Sequence, residues 1–452
     1  MTWEGACTSR LLNIRKGCTM HSGKIMMIMR ILLLGSFLCC ISAVPSNADE
    51  NDSILHSSYA RDLMLRGDYE KGIEQLRRAY LLFPYNETLK HNLAEGYAAF
   101  GHQFFKQKKY DKADDNFVKA MELYPEEAIY ALLRGICTYH LKKYDVARHE
   151  LERAHQKQSE TVEILYYLGL VYYETNNRQQ AVELWEQGLK LSPSRVEFEE
   201  LLKKARKEMA VEAGMDRGHS SRFDLTYDSG VNAAFALAVL DVLENAANQV
   251  GAELGFFPVN RVPVAIYTRA DFKIVTDSPE WSGGVYDGTI RLPFGATAEV
   301  TPQMRAVLFH EYAHVVIFEM TRGNCPIWLN EGVAEMFGRK EHNRPMGEFR
   351  QAIKKKSYMD FRKMESGFSG LTTPDASLAY QQSYAMVNYM VTNYGWHRVN
   401  GILSSLGNGM NIDEAVLQSF QDYSITYDTL ILEWQKEMEK SFVQAPILVE
   451  GD

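Results

Sequence analysis

YDKADDNFVKAMELYP (110–125), YDVARHELERAHQKQS (144–159) and RQQAVELWEQGLKLSP (178–193) repeat one pattern at a constant spacing. Ala113, Ala147 and Ala181 share a slot, as do Phe117, Leu151 and Trp185, and again Ala120, Ala154 and Gly188. Gly101, Gly135 and Gly169 keep the same spacing. A period of about 34 residues marks a supersecondary unit that buries its apolar face only against its neighbours. The small residue lets two antiparallel helices approach, and the large apolar residue four positions on fills the groove between them. Pro125 and Pro193 end the second helix of their units. An earlier unit places Gly72, Leu76, Ala79 and Pro84 in these slots, but the step from Gly72 to Ala113 is longer than the step from Ala113 to Ala147. The longer offset predicts two extra helical turns around Leu89–Phe105.

This pattern resembles the tetratricopeptide repeat, with about four units over residues 53–194. The charged, helix-prone stretch Arg195–Glu212 reads as a capping helix, which takes the repeat region to 53–213. The resemblance implies an all-α solenoid with a concave surface for a protein or peptide partner, and no catalysis of its own.

The whole chain has 452 residues, enough for two or three domains. Its hydrophobic share of 46% and charged share of 24% are those of a globular protein, which excludes bulk disorder. The net charge is −9, and no Lys/Arg stripe is interleaved with aromatics, so no nucleic-acid partner is expected. Near the N-terminus, Lys24 and Arg30 precede a short apolar run, Ile31–Ile41, and then the small residues Ser46 and Ala48. This order predicts a secretory signal peptide with an upstream extension, residues 1–48, cut before Asp49. The apolar run is short for a bilayer span, so no stable membrane insertion is expected after cleavage. The expected destination is across the inner membrane, in a bacterial periplasm. Four of the six cysteines leave with residues 1–48. Cys137 and Cys325 remain, in different domains, so no disulfide framework is expected.

The helical texture breaks at 214–222, which reads as a linker rich in Gly and Ser. Beyond it, Phe223–Asp228 alternates like a strand, Val231–Leu254 reads as a long helix, and Arg261–Thr268 as a second strand. Gly284–Pro293 reads as a hairpin turning at Asp287-Gly288. Helical patterns follow from Thr301. The expected fold is an α+β domain over 223–437, followed by a tail, 438–452.

His310-Glu311-Tyr312-Ala313-His314 is an H-E-x-x-H sequence inside a strong helix pattern, with Thr301 as N-cap, Pro302 in the first turn and Gly323 at its end. Residues four apart share a helix face, so the two imidazoles point the same way and suit zinc. Glu311 can serve as general base for an activated water. Glu331 follows on the next predicted helix, in Trp328-Leu-Asn-Glu-Gly-Val-Ala334, and supplies a carboxylate as third ligand. Glu335, one turn further on, could hold a ligating imidazole.

These residues resemble the gluzincin metallopeptidases, which pair H-E-x-x-H with a downstream Glu ligand. The W-L-N-E-G-x-A stretch is similar to that of M1-type aminopeptidases, and closer still to peptidase MA-like domains found beside tetratricopeptide repeats. The resemblance implies a zincin-like metallopeptidase fold with Zn²⁺ on His310, His314 and Glu331, and Glu311 as catalytic base. Tyr380–Met390, closing at Gly395, is similar to a further M1 segment and implies Tyr380 as the donor to the tetrahedral oxyanion, with Tyr384 its competitor one turn on. The tail of that domain is matched around Gly407–Ala415 and Trp434. The G-x-M-E-N strand of aminopeptidases is missing from the sequence, and the Val285–Pro293 hairpin stands in roughly its place. That hairpin could take an extended peptide by strand addition.

Together these features imply an exported zinc metallopeptidase whose repeats recruit a protein substrate or adaptor. The alternatives are a repeat-based binding scaffold with a catalytically idle zinc domain, and a metal-dependent hydrolase of a non-peptide bond.

Overall fold

The computed structural model describes residues 48–231, 233–276, 283–295, 299–368 and 371–444. The signal segment therefore lies outside the described residues, apart from Ala48, as does the end of the tail. The described chain divides into two compact units, with the boundary between Arg206 and Lys207.

The first unit is a stack of helical hairpins: α1 (Ala48–Leu65) with α2 (Tyr69–Leu82), α3 (Glu87–Lys106) with α4 (Tyr110–Leu123), α5 (Ala128–His140) with α6 (Tyr144–Lys157), and α7 (Val162–Glu174) with α8 (Arg178–Leu191). Helix α3 has 20 residues against 13 in α5 and in α7, which accounts for the longer first offset. The periodic glycines face the periodic large residues. A Cβ on Gly101 would come within 2.7 Å of Phe117, one on Gly135 within 2.6 Å of Leu151, and Gly169 lies closer still to Trp185. These contacts let paired helices close with Phe117, Leu151 and Trp185 at or below 1% exposure.

A second periodicity is conformational. Lys108, Lys142 and Asn176, at equivalent places in successive repeats, are left-handed at φ 58°, 56° and 63°. Each ends the first helix of its pair, and the next N–H bonds back to the last turn of that helix: Lys109 to Phe104, Lys143 to Thr138, Asn177 to Tyr172. The first unit uses Gly67 at φ 88° for the same turn. Helix α9 (Val196–Glu212) follows the array, and its buried Phe198 packs on Gly188.

The second unit begins within the later part of α9 and holds a five-stranded sheet of order β1-β2-β3-β5-β4. Its strands are β1 (Asp216–His219), β2 (Phe223–Tyr227), β3 (Val262–Ile266), β4 (Val285–Tyr286) and β5 (Ile290–Leu292). The stretch 214–222, expected as a linker, thus carries a strand: β1 pairs antiparallel with β2, from Asp216↔Tyr227 to His219↔Asp224. Its sequence, Asp-Arg-Gly-His, has no apolar alternation, so the pairing comes from the bonding edge of β2 and left no pattern to read. The centre is parallel, β2 with β3 and β3 with β5, while β4 is an antiparallel edge strand.

Helices α10 (Ala233–Leu254), α11 (Arg269–Thr276), α12 (Pro302–Thr321), α13 (Ile327–Glu341), α14 (Gly347–Lys355), α15 (Phe361–Met364), α16 (Thr373–Tyr394), α17 (Trp396–Gly407), α18 (Ile412–Ser419) and α19 (Tyr427–Gln444) make up the rest. The apolar core runs from Phe223 to Trp434. Trp328 on α13 is stacked on Tyr427, and Trp434 packs edge-on to Phe361, so α19 belongs to the core. Cys137 and Cys325 are buried free thiols. Among the described residues, no helix is long and apolar enough to cross a membrane.

Candidate metal centre

Helix α12 carries the H-E-x-x-H residues through the middle of the unit. Thr301 caps it by accepting from the Met304 N–H, Pro302 opens it, and Arg322 ends it in the left-handed region at φ 52°. Residues 306–317 are buried on every side, so the helix is central rather than amphipathic. Helix α13 is pressed against α16 at Gly332, where a Cβ would come within 2.5 Å of the Ser383 carbonyl. That close approach seats the neighbouring Glu331 over α12.

Three donor atoms converge. His310 Nε2 and His314 Nε2 stand 3.0 Å apart, and each is 3.5 Å from Glu331 Oε2. The imidazole planes are nearly perpendicular, at 88°. Ligands about 2.0–2.1 Å from a tetrahedral zinc stand about 3.3–3.4 Å from one another, so this triangle has the right size. Glu331 is fully buried, yet neither carboxylate oxygen has a hydrogen-bond partner. Such an orphaned carboxylate is costly unless a cation satisfies it. The His-His-Glu set is the group among the described residues whose donor atoms could hold a metal ion. Donor type, spacing and orphaned oxygens all fit zinc.

Of the two outer nitrogens, that of His314 is hydrogen-bonded. His314 Nδ1 lies 3.1 Å from Asn330 Oδ1, and His310 Nδ1 lies 3.4 Å from Glu335 Oε1. The Asn330 acceptor places a proton on His314 Nδ1 and leaves its Nε2 lone pair for the shared point, whereas His310 Nδ1 has a charge contact with Glu335 and no hydrogen bond. Glu335 is itself clamped: Arg339 Nε donates to Oε2 at 2.7 Å, and Arg344 Nη2 stands 3.2 Å from Oε1. Arg339 also lies over the Tyr384 ring, 4.6 Å from its centroid.

The charge states follow from these neighbours. With no metal bound, burial pushes Glu331 up, but positive charge on His314 and His310 outweighs it and holds the carboxyl at about 2. Burial likewise opposes ionisation of Glu335, and Arg344, His310 and Arg339 overcome it, holding it below the usual range. For Glu311 burial wins: its carboxyl is raised despite His314 and His310. The Tyr286 backbone N–H donates to Glu311, and a Cβ on Gly284 would come within 3.0 Å of its Oε1. Edge strand β4 therefore brackets the candidate base.

The structure thus brings together His310, His314, Glu331, Glu311 and Glu335. Tyr380 is a buried residue of α16, one turn before Ser383, with its ring edge-on to Phe368 at 5.3 Å. Asn330, Arg339 and Arg344 were not read from the sequence. Arg339 had a signal, the i,i+4 spacing from Glu335. Asn330 and the Tyr286 amide had none, because their roles depend on how α13 and β4 dock.

Residues 243–440 match the model of the Peptidase MA superfamily. Residues 98–163 and 162–195 match tetratricopeptide-repeat models. No curated protein matches the chain. The first repeat domain of Spaghetti (RPAP3), solved bound to an HSP90 peptide, is 26% identical over 26% of this chain and 93% of that one, with a TM-score of 0.26. The human RPAP3 domain solved by NMR is 25% identical over 26% and 94%, with a TM-score of 0.26. MamA from Desulfovibrio magneticus RS-1 is 18% identical over 35% and 86%, with a TM-score of 0.30. Residues 243–440 are a Peptidase MA superfamily domain, and tetratricopeptide repeats precede it.

Proposed function

We propose that this chain is an exported, zinc-dependent metallopeptidase of the gluzincin type, whose repeats recruit a protein substrate or adaptor. The observation that carries this reading is the convergence of His310 Nε2, His314 Nε2 and Glu331 Oε2 beside a buried Glu311. Those three residues would hold the metal, which supplies Lewis acidity toward a water and the scissile carbonyl. Glu311 takes a proton from the attacking water and passes it to the leaving amine. Its carboxyl is raised by burial, a shift in the direction that suits a group which first accepts a proton and then returns it. Tyr380 donates to the developing oxyanion, with Tyr384 the competitor for that role. The hairpin at the β4 end of the described sheet takes an extended substrate backbone by strand addition. Residues 1–48 direct export.

Elemental mass spectrometry on the purified chain, with no added metal, tests the metal centre, and casein or a peptide library tests the activity. About one zinc per chain with cleavage supports the proposal. Zinc without cleavage of any peptide favours the idle scaffold or a non-peptide substrate, and no zinc even on titration removes the enzyme reading.

A further inference from the structure

The hairpin that brackets Glu311 is anchored from behind by a buried cation. Arg291 on β5 is 1% exposed. It donates from Nη2 to Glu208 Oε1 at 2.7 Å, from Nη1 to the Tyr267 hydroxyl at 2.6 Å, and from Nε to Asp287 Oδ1 at 3.0 Å. The Tyr267 hydroxyl in turn donates to Glu212 Oε1 at 2.6 Å, and Glu212 lies 3.7 Å from Arg291 Nη1. Glu208 is fully buried and Asp287 nearly so. One guanidinium thus serves three carboxylates and a phenol.

Stability alone does not explain such a cluster. Desolvation costs several kcal/mol per ion, and apolar residues of similar volume often serve as well. What a planar five-donor fork adds is direction. Each arm here fixes one part of the same structure: Asp287 the hairpin turn, Tyr267 the end of β3, Glu208 and Glu212 the last turns of α9. Arg291 is also the register partner of Val285 on β4. Strand β4 has only two residues and, among the described strands, pairs with β5 alone, so its own ladder is a weak support. Its other side meets Glu311, through Gly284 and the Tyr286 N–H.

We propose that Arg291, clamped by Glu208 and Glu212 of α9, is a positioning residue: it holds β4 where that strand brackets the Glu311 carboxylate. The catalytic unit therefore needs the end of the helix that follows the repeats. The proposal rests on the peptidase reading only for the nature of the substrate.

The test uses the full chain with Arg291→Lys, Glu208→Gln and the milder Glu212→Gln, read by native-state hydrogen exchange, zinc content and peptide cleavage. Expected are at least tenfold faster exchange at residues 285–292, the Tyr286 amide included, unchanged zinc content, and kcat lowered tenfold or more with a smaller change in KM. Hairpin exchange and kcat unchanged beside a lower denaturation midpoint would make the network merely structural and overturn the proposal. If Arg291→Lys does not fold, Glu212→Gln, which removes the partly exposed arm, decides by the same readouts. If the unaltered chain holds zinc but cleaves nothing, the peptidase reading fails while the exchange data still decide the anchoring.

Discussion

The two units bury polar groups in opposite ways. In the repeats, buried pairs join neighbouring helices: Tyr130 donates to Glu95, 35 residues away, and Arg134 to Glu150, 16 away. In the second unit the partners are distant. Arg291 reaches Glu208 across 83 residues, Tyr267 reaches Glu212 across 55, and Asn400 reaches the Glu253 carbonyl across 147. The apolar contacts of the repeats recur with the period, as those of Gly101 with Phe117, Gly135 with Leu151 and Gly169 with Trp185 do, so each is announced by its copies, whereas the polar pairs of Tyr130 with Glu95 and Arg134 with Glu150 have none. The contacts of the second unit occur once. A stacked array is a sum of near-neighbour terms, whereas a site is assembled from long-range ones.

This contrast can be broken by substitution. The largest effect is expected for Glu311→Gln, which should lower peptide hydrolysis by about 10²–10⁴-fold with zinc content unchanged. Near-normal turnover would remove Glu311 as the base. Asn330→Ala, which frees the His314 imidazole, and Glu335→Ala, which removes the carboxylate beside His310 Nδ1, should each weaken zinc by about 10–100-fold in competition with a chelator. Neither should alter the unfolding of the repeats, and a loss confined to the repeats would reverse the assignment.

Acid separates the units further. Burial holds His140 and His102 in the repeats down at about 4. Unfolded, both would titrate near the ordinary value of 6.5, so between these values the unfolded state binds more protons. Their contribution is complete above that ordinary value and is lost as pH falls toward 4, at a cost of up to about 3 kcal/mol per histidine. Urea titrations of the repeats at neutral pH and in mild acid should show that loss, and its removal by His140→Phe would assign it. Smallest is Gly169→Ala, where the added Cβ meets Trp185. It should destabilise the repeats by about 1–3 kcal/mol and leave zinc affinity untouched.

Much of this was legible residue by residue. Helix α3 has the two additional turns that the longer first offset required, and Gly101, Gly135 and Gly169 meet Phe117, Leu151 and Trp185 as the spacing implied. His310 and His314 share a face because a helix puts positions four apart together. Strand β1 was not legible, since a short polar edge strand takes its pairing from its neighbour. The left-handed Lys108 and Lys142 were not either, because lysine carries no turn signal.

The sequence by itself determined whatever repeats or follows from helical geometry: the solenoid, the length of its units, the paired imidazoles and the carboxylate on the next helix. Only the tertiary structure decided that Asn330 holds the His314 imidazole, that β4 brackets Glu311, and that Arg291 is buried among three acids. Local periodicity is written in residue spacing. A buried polar contact depends on which segments the core brings together, and no spacing records that.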